Sequence, residues 1–392
     1  MDQLVVWSWL SPGDAHSGAL HTGALARRKE HAVRRRTAER SLAALLVGGV
    51  ALTGAGCGEA PDDKGVADSG DRYTACMVTD IGGIDDRSFN SSAWKGLQAA
   101  AADRPSVEPR YVASNAESAY EPNLTGFVNQ DCSFILAVGG LMTDATQKVA
   151  AANSARQFGI VDAKVAATNV YPMQFDTAQA AFLAGYLAAG HTTSGKVATY
   201  GGLKIPPVTI FMDGFADGVA HFNKVKGKAV QVLGWNKATQ NGAFTNDFVK
   251  QDAGKKVSDT LVAQGADVIM PVAGGAGLGT AAAAQQSAGR YAVIWVDIDG
   301  CESAQQYCAT FLTTVVKNIP DAVKNAVLAD ARGDNLASST GYVGSLANNG
   351  VSLAPYHEFE GKVPAELKAE IDQLRKDIIE GRIQVVSAAQ PQ

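Results

Sequence analysis

The sequence is poor in the residues and motifs from which most catalytic and metal sites are built. It has 5 cysteines and 6 histidines among 392 residues, and His191, His221 and His357 lie far apart. It contains no HExxH, CxxC, GxSxG or GxxxxGK[ST] segment, so the corresponding peptidase, dithiol, hydrolase and P-loop sites are not indicated. A binding protein fits this composition better than an enzyme, and we expect no cofactor and no metal.

An excess of positive charge is also missing. The formal net charge is -5, so the chain offers little nonspecific attraction to a phosphate backbone, and nucleic acid is not an expected partner. With 46% hydrophobic and 19% charged residues, the composition is that of an ordinary soluble protein. A length of 392 residues suggests two domains or lobes, and we expect a monomer.

The N-terminal region predicts export. An arginine-rich segment from Arg34 to Arg40 precedes a short apolar stretch, Leu42 to Leu52, which is the layout of a secretory signal. Small residues lead into Cys57 as in a bacterial lipobox, although Gly54 stands where an aliphatic residue is usual. We interpret residues 1–57 as a signal and lipoprotein region. The residues before Arg34 are interpreted as an extension that results from a start codon placed too early. An ordinary cleaved signal, or an incidental apolar helix, would leave Cys57 unmodified.

The segment after this region is polar and rich in Gly and Asp. Residues 58–71 have little that could pack into a core, which predicts a flexible tether. A lipid on Cys57 would then hold the folded part at the outer face of the cell membrane.

The four remaining cysteines are an even number in a chain that is predicted to enter an oxidising compartment. Cys301 and Cys308 would close a short loop, whereas Cys76 lies on the first predicted strand and Cys132 at the start of one that could lie beside it. The sequence predicts the disulfides Cys76–Cys132 and Cys301–Cys308. The alternative is four buried, unpaired thiols.

Apolar runs with β-branched residues alternate with alanine-rich helical segments along the body of the chain. Strand candidates include YTACMVT, SFILAVG, FGIVD, KVAAT, KVATYGG, ADVIMPVA and YAVIWVDID, and helix candidates include SSAWKGLQAAAA, QAAFLAGYLAAG and GFADGVAHFN. This alternation predicts an α/β fold with parallel sheets that are covered on both faces. The number of strands favours two sheets over one.

Polar residues and glycines cluster where the predicted strands end. Ligands of parallel sheets bind in the crevice outside the carboxyl ends of the strands, so these positions are candidates for a site. They are Asp80, Asp162, Trp235, Asn236, Gly274, Gly275, Asp297 and Asp299. The alternative makes each Asp a helix cap and each Gly a turn former.

One segment also suggests dinucleotide binding. In ADVIMPVAGGAGLGTAAAAQQSAGRYAVIWVDID a strand, a glycine-rich turn, a helix and a second strand ending in an acid follow one another. However, Gly275, Gly277 and Gly279 have the spacing GxGxG, and Thr280 occupies the place of the third fingerprint glycine. An extracytoplasmic dinucleotide-binding protein or enzyme is therefore kept only as an alternative.

The turn DIGGIDDRSFNSSAWKG carries more polar chemistry than a change of direction requires. It closely resembles the signature of the basic membrane protein family, bacterial lipoproteins that serve as purine-nucleoside receptors of ABC transporters. Five further segments follow in the family's order between Tyr73 and Ile319: FLAGYLAAG, GKVATYGGLKIPPVTIFMDGFADGV, GADVIMPVAGGAGLG, VDIDG and FLTTVVKNI. The resemblance implies a small-molecule ligand and an ABC transporter permease as partners.

The resemblance also implies the fold class: a type I periplasmic binding protein, in which two Rossmann-like lobes with parallel sheets are joined by crossover hinge strands and close over a ligand. We expect residues 72–172 and about 298–335 to form the first lobe. Residues 173–297 and about 336–392 would form the second.

Within this family pattern, Phe89 matches the residue that stacks on the base, and Asn90 is placed to meet the polar base edge. Asp80 and Asp176 are further candidates by resemblance. Asp297 matches the ribose ligand, and Lys317 completes the sugar site. As alternatives, Phe89 would be a core residue, Asn90 a helix cap and Lys317 a solvated lysine.

A second aromatic plate is expected from the other lobe. Phe211, near the start of the helix GFADGVAHFN, is the first choice, with Trp235 second and Phe215 third. Gly274 and Gly275 would allow close backbone approach. The adjacent Asp85 and Asp86 are interpreted as helix-capping acids.

The charges of the predicted site favour an uncharged ligand. Asp80, Asp176 and Asp297 face a single lysine, whereas a phosphate would require several cationic groups. The sequence therefore predicts a nucleoside rather than a nucleotide. The preference for a purine comes from the resemblance alone, and a sugar or another small metabolite is the alternative.

Overall fold

In the computed structural model, which describes residues 72–391, strands and helices alternate along the chain and build two main sheets. The predicted signal region, the tether at 58–71 and Cys57 lie outside the described residues.

The first sheet has the spatial order β13-β5-β4-β3-β1-β2, and all of its strand pairs are parallel. Its strands are β1 (Tyr73–Thr79), β2 (Val107–Val112), β3 (Phe134–Val138), β4 (Gln157–Val161), β5 (Val170–Phe175) and β13 (Tyr342–Gly344). Sheet order and direction here are those of an open, doubly wound sheet.

The second sheet has the order β14-β12-β11-β10-β6-β7, in which only β14 runs antiparallel. Its strands are β6 (Lys196–Gly201), β7 (Gln231–Leu233), β10 (Val268–Val272), β11 (Ala292–Asp297), β12 (Phe311–Lys317) and β14 (Val351–Leu353). A small antiparallel pair, β8 (Trp235–Asn236) and β9 (Asn241–Gly242), lies beside it.

Helices cover these sheets. They are α1 (Phe89–Asp103), α2 (Tyr120–Asn129), α3 (Thr143–Ala152), α4 (Thr177–His191), α5 (Pro206–Lys226), α6 (Gln251–Ala263), α7 (Leu278–Gln286), α8 (Gly300–Ser303), α9 (Ile319–Ala331) and α10 (Ala365–Ile379). Together with the two sheets they confirm the predicted fold class.

Local chemistry explains two elements that the sequence predicted imperfectly. Helix α5 begins at Pro206, before the predicted segment. Prolines are tolerated in the first turn because the amides there have no hydrogen-bond partner within the helix. The helix is terminated by Gly227, which has a φ of 63°. The predicted strand KVAAT is wrong: residues 164–168 are a loop, and the strand β5 begins at Val170.

Helices α4 and α5 pack with their backbones in close contact. A Cβ atom at Gly185 would lie 2.0 Å from the Phe215 carbonyl oxygen, and one at Gly218 would lie 2.0 Å from that of Phe182, so only glycine fits at either place. Helix α4 is consequently buried along most of its 15 residues. Among the helices of residues 72–391, none has both the length and the apolar character that crossing a membrane requires.

The chain crosses between the lobes three times, after β5, after β12 and between β13 and β14. These crossings correct the predicted lobe boundaries. The segment 298–317 was assigned to the first lobe, but β12 pairs with β11 and belongs to the second sheet. Conversely, β13 pairs with β5 and returns to the first sheet, although residues after 335 were assigned to the second lobe. The sheet to which β12 and β13 belong is thus determined by pairing between strands that are distant in sequence.

The structure pairs the cysteines as the sequence predicted. Cys76 on β1 is bonded to Cys132, which precedes the neighbouring strand β3, and Cys301 is bonded to Cys308. The first disulfide closes a loop with a sequence separation of 56 residues, whereas the second spans only 7.

The difference in loop length leads to a prediction about stability. Replacing both Cys76 and Cys132 with alanine should lower the free energy of unfolding by about 2–4 kcal/mol, because the long loop gains the most conformational freedom in the unfolded chain. The matched variant Cys301→Ala/Cys308→Ala should lose less, about 2 kcal/mol or below. Urea unfolding of the oxidised proteins measures both, and an equal or reversed order would contradict the loop-length argument.

Candidate functional site

The carboxyl ends of the two sheets face each other across a cavity of about 550 Å³, part of which is open to solvent. Residues of both lobes line it: Asp80, Gly82, Asp86, Phe89, Asn90, Gly139, Gly140 and Asp162 from the first, and Ile205, Pro207, Val208, Phe211, Phe248, Val272, Ala273, Gly274, Val296 and Asp297 from the second. The cavity therefore occupies the crevice that parallel sheets predict.

The turn between β1 and α1 is shaped by Asp86. Its carboxylate accepts hydrogen bonds from the backbone amides of Ser88 (3.1 Å), Asn90 (2.7 Å) and Ser91 (3.0 Å), which are unpaired donors of the first helical turn. The capping interpretation is thus confirmed for Asp86. Because the cap orients the start of α1, it also orients Phe89 and Asn90, the next residues of the cavity wall.

Asn90 presents a free acceptor to this region. Its Nδ2 donates to Asp80 Oδ1 at 2.8 Å, and the amide of Gly82 donates to the same oxygen at 3.1 Å. Its own Oδ1 is buried and has no hydrogen-bond partner within residues 72–391. A buried acceptor without a partner is costly, and because Asn90 lines the cavity this oxygen is available to a hydrogen-bond donor there.

Lys317 lies at the end of β12 and is only 2% exposed. Its ammonium forms an ion pair with Asp162 of the first lobe and lies 3.8 Å from Asp297 Oδ1 of the second. It also lies 5.0 Å from the ring centre of Phe89 and 5.2 Å from that of Phe211, at cation-π distance. A single cation therefore joins carboxylates and aromatic rings of both lobes.

Asp162 follows β4 and Asp297 is the last residue of β11, and both have a left-handed backbone conformation, with φ of 63° and 73°. This conformation is uncommon for residues with a side chain, and its clustering at a cleft is typical of a functional site. It turns the two carboxylates toward Lys317. Asp297 is held further by the hydroxyl of Ser88, which donates to its Oδ2 at 2.6 Å.

Burial sets the electrostatics of the cavity. It raises the pKa of Asp80 to about 6 and the pKa of Asp86 to about 7, against the opposing effect of their hydrogen bonds. Burial also raises the pKa values of Asp162 and Asp297, and here the charge of Lys317 acts in the opposite direction. The four acids outnumber the one lysine, so the region favours ligand groups that donate hydrogen bonds.

Most of the predicted site residues meet at this cavity. Asp80, Phe89, Asn90, Phe211, Gly274 and Asp297 line it, and Lys317 lies against two of its rings. Gly275 is buried beside the wall, where an added Cβ would approach the Phe248 carbonyl oxygen at 3.2 Å.

Trp235, Phe215 and Asp176 do not line the cavity either. The indole of Trp235 donates to the buried Asp213 at 3.0 Å, and Phe215 is fully buried in α5. Asp176 lies at the crossing after β5, where its Oδ2 accepts a hydrogen bond from Gln179 at 2.8 Å. Its Oδ1 is buried and has no partner within residues 72–391. These side chains are held by the interior of the second lobe and by the hinge.

Sequence reasoning missed Phe248. The loop that carries it is tied to the end of β6, because the amides of Thr245 and Asn246 donate to the carbonyls of Gly201 (3.0 Å) and Gly202 (2.9 Å). The ring lies so close to Gly202 that a Cβ there would be 2.3 Å from it. The adjacent glycines after KVATY were the only signal for this contact.

The glycines that suggested dinucleotide binding have a packing role. A Cβ at Gly279 would lie 1.9 Å from the carbonyl oxygen of Gln251 at the start of α6, so this glycine allows α6 and α7 to touch. A Cβ at Gly277 would lie 3.1 Å from the ring of Trp295, so this glycine also permits close packing. Close helix packing accounts for this part of the pattern without a pyrophosphate.

The chain matches known proteins along most of its length. The family model of PnrA-like ABC transporter substrate-binding proteins, Bmp, matches residues 73–388. The CD4+ T-cell-stimulating antigen of Listeria innocua is 30% identical over 372 residues, 90% of this chain and 99% of the relative. The ABC transporter nucleoside-binding protein BmpA of Lactococcus lactis is 28% identical over 332 residues, 80% and 89% of the two chains.

A solved structure supports the fold. An ABC transporter solute-binding protein of Aeropyrum pernix superposes with a TM-score of 0.71 at 22% identity, covering 82% of this chain and 94% of that protein. At this identity the likeness shows the arrangement of the two lobes and nothing finer.

The raised pKa of Asp86 predicts a pH dependence of stability. Because the folded-state pKa of about 7 exceeds the ordinary value of 3.8, the buried carboxylate destabilises the fold progressively as pH rises from about 4 to about 7. Relative to Asp86→Asn, the wild type should lose up to about 4 kcal/mol over this interval. Urea unfolding at pH 4, 5.5 and 7.5 measures it. The exposed control Asp85→Asn should keep the wild-type profile, and parallel profiles for Asp86→Asn would contradict the shift.

Proposed function

Because the chain belongs to the Bmp family of ABC transporter substrate-binding proteins, we propose that it captures a purine nucleoside between its lobes and delivers it to a permease. Members of this family are not enzymes but extracytoplasmic, membrane-associated receptors for small molecules. The relative from Lactococcus lactis is named a nucleoside-binding protein. The observation that carries the proposal is a cavity that combines aromatic rings from both lobes with buried carboxylates and an unpaired amide oxygen.

The first lobe contributes Phe89 as one plate for the base. For the opposite plate, Phe248 is favoured over Phe211, our first choice from the sequence. Phe211 is 1% exposed and its ring is close to the ammonium of Lys317, whereas Phe248 is partly exposed and belongs to the same cavity wall as Gly274. Stacking of a base on an aromatic ring contributes roughly 1–3 kcal/mol. In this proposal Phe211 supports Lys317.

The polar groups divide between the two halves of a nucleoside. Asn90, with its unpaired Oδ1, and Asp80 would accept hydrogen bonds from the base edge. Asp297 would accept them from the ribose hydroxyls, with Lys317 as a donor beside it. Asp162 neutralises the lysine, so the sugar would meet a pair of charges rather than an isolated cation.

The same groups would exclude a nucleotide. A phosphate brings about two negative charges at neutral pH, and Lys317 is already paired with Asp162. Asp80, Asp86 and Asp297 would repel it from the remaining wall. This charge pattern supports a nucleoside over its phosphorylated forms.

Titration calorimetry with inosine, guanosine and adenosine tests the proposal. Phe89→Ala should weaken binding by roughly 1–3 kcal/mol through lost stacking, and Asp297→Ala by about as much because ribose hydroxyls lose their acceptor in a closed cleft. Both variants should fold.

Two control substitutions keep the comparison specific. Trp94→Ala removes an aromatic ring from α1 that packs on Tyr111 outside the cavity, and Asp103→Ala removes an exposed acid of the same helix. Both should retain wild-type affinity. Unchanged binding of every nucleoside by Phe89→Ala and Asp297→Ala would place the site elsewhere, and chemical conversion of a bound nucleoside would overturn the receptor function.

We also propose that Cys57 is lipidated and anchors the protein. Cys57→Ser should move the protein from the membrane fraction into the soluble extract or the medium, because the polar tether offers no other apolar anchor. The matched tether variant Asp62→Asn should stay with the membranes. Immunoblots of the separated fractions measure this, and membrane retention of a Cys57→Ser protein whose signal has been cleaved would refute the anchor.

A further inference from the structure

The residues just before α1 touch the second lobe. The guanidinium of Arg87 donates to the carbonyl oxygen of Ser303 at 3.1 Å, and the indole of Trp295 donates to the carbonyl of Arg87 at 3.4 Å. Next along the chain, the hydroxyl of Ser88 donates to Asp297 Oδ2 at 2.6 Å. These contacts join the first lobe to the end of β11 and to α8. Arg87 itself is exposed and does not line the cavity.

The acceptor of Arg87 lies in a loop that covalent and polar bonds hold in place. The disulfide Cys301–Cys308 closes the segment 301–308, which contains Ser303. At its start, Asp299 accepts the amide of Cys301 at 2.9 Å with one carboxylate oxygen, and its other oxygen lies 2.7 Å from His357 Nε2. A carbonyl in such a tied loop is a preorganised acceptor, since little freedom remains to be lost when Arg87 binds it.

The position of Arg87 makes this contact sensitive to opening of the cleft. The crossings between the lobes leave the first sheet at its β13 and β5 edge, whereas β1 lies four places from β13. With strands spaced about 4.8 Å apart, the turn after β1 is roughly 19 Å from that edge. A rotation that opens the cleft about the crossings therefore separates Arg87 from Ser303 at small angles. Neither residue lines the ligand cavity.

We propose that Arg87 and the disulfide-closed loop 301–308 form a latch between the lobes that stabilises the closed state and slows ligand release. Arg87 acts here as a positioning residue. The latch rests on the two-lobed fold and not on which ligand binds, and so goes beyond the nucleoside proposal. A contact present only in the closed state shifts the population toward it and adds to the affinity for any ligand that needs closure.

A double-mutant cycle tests the latch on the full-length protein. Fluorophores on cysteines introduced at the exposed positions Lys95 in the first lobe and Lys256 in the second report the distance between lobes, with and without guanosine. Arg87→Ala should reduce the closed fraction and raise the dissociation rate of guanosine about threefold to tenfold, as expected for an exposed charged hydrogen bond. Arg110→Ala is the matched control, because its guanidinium binds Glu108 within the first lobe.

The second arm of the cycle removes the disulfide with Cys301→Ser/Cys308→Ser. If the disulfide acts by holding the acceptor of Arg87, its removal should raise the dissociation rate in the wild type but add little in Arg87→Ala. Equal effects in both backgrounds would overturn the coupling between disulfide and latch. Wild-type distances and rates in Arg87→Ala would overturn the latch itself.

The readouts also separate this inference from the nucleoside proposal. If guanosine leaves the lobe distance of the wild type unchanged while Arg87→Ala still lowers the closed fraction without ligand, the latch is supported and the proposed ligand is contradicted. If guanosine closes the wild type and Arg87→Ala to the same extent and dissociates from both at the same rate, the nucleoside proposal is supported and the latch is contradicted.

Discussion

The buried ammonium of Lys317 is the interaction on which the arrangement of the cleft depends. It stands at the end of a strand of the second sheet, pairs with Asp162 after a strand of the first, and lies near Asp297 and two aromatic rings. A lysine that is 2% exposed is tolerated only when nearby charges and dipoles replace its water. The two carboxylates do so, and because they come from different lobes, the neutralised cation exists only when the lobes meet.

This constraint links the chemistry of the site to its motion. If either carboxylate were removed, the buried ammonium of Lys317 would be only partly neutralised. The two acids therefore stabilise the closed structure in addition to any contact with a ligand. The backbone is strained at Asp162 and Asp297, and such conformations persist only where many surrounding contacts fix them. The contacts of both carboxylates with Lys317 are of this kind. In the proposed function, the same side chains would contact the ligand and hold the two lobes together.

The turn before α1 works at a greater distance from the hinge. Its Asp86 uses the free amides of the helix start, which aims Phe89 and Asn90 into the cavity and leaves Arg87 and Ser88 directed at the second lobe. One short turn thus supplies a wall of the site and an interlobe contact. This explains why it carries far more polar groups than a reversal of the chain requires.

Local chemistry allowed the sequence by itself to determine the alternating α/β order, the capping role of Asp86, the short disulfide Cys301–Cys308 and the position of Asp297 at the end of a strand, because each follows from neighbours along the chain. The choice of Phe89 came from the resemblance to a family. Only the tertiary structure decided that β12 joins the second sheet, that Trp235 turns into its own lobe toward Asp213, and that Phe248 reaches the cleft. These outcomes depend on strand pairing and packing between residues far apart in sequence, and periodicity contains no information about which distant partner a side chain will meet.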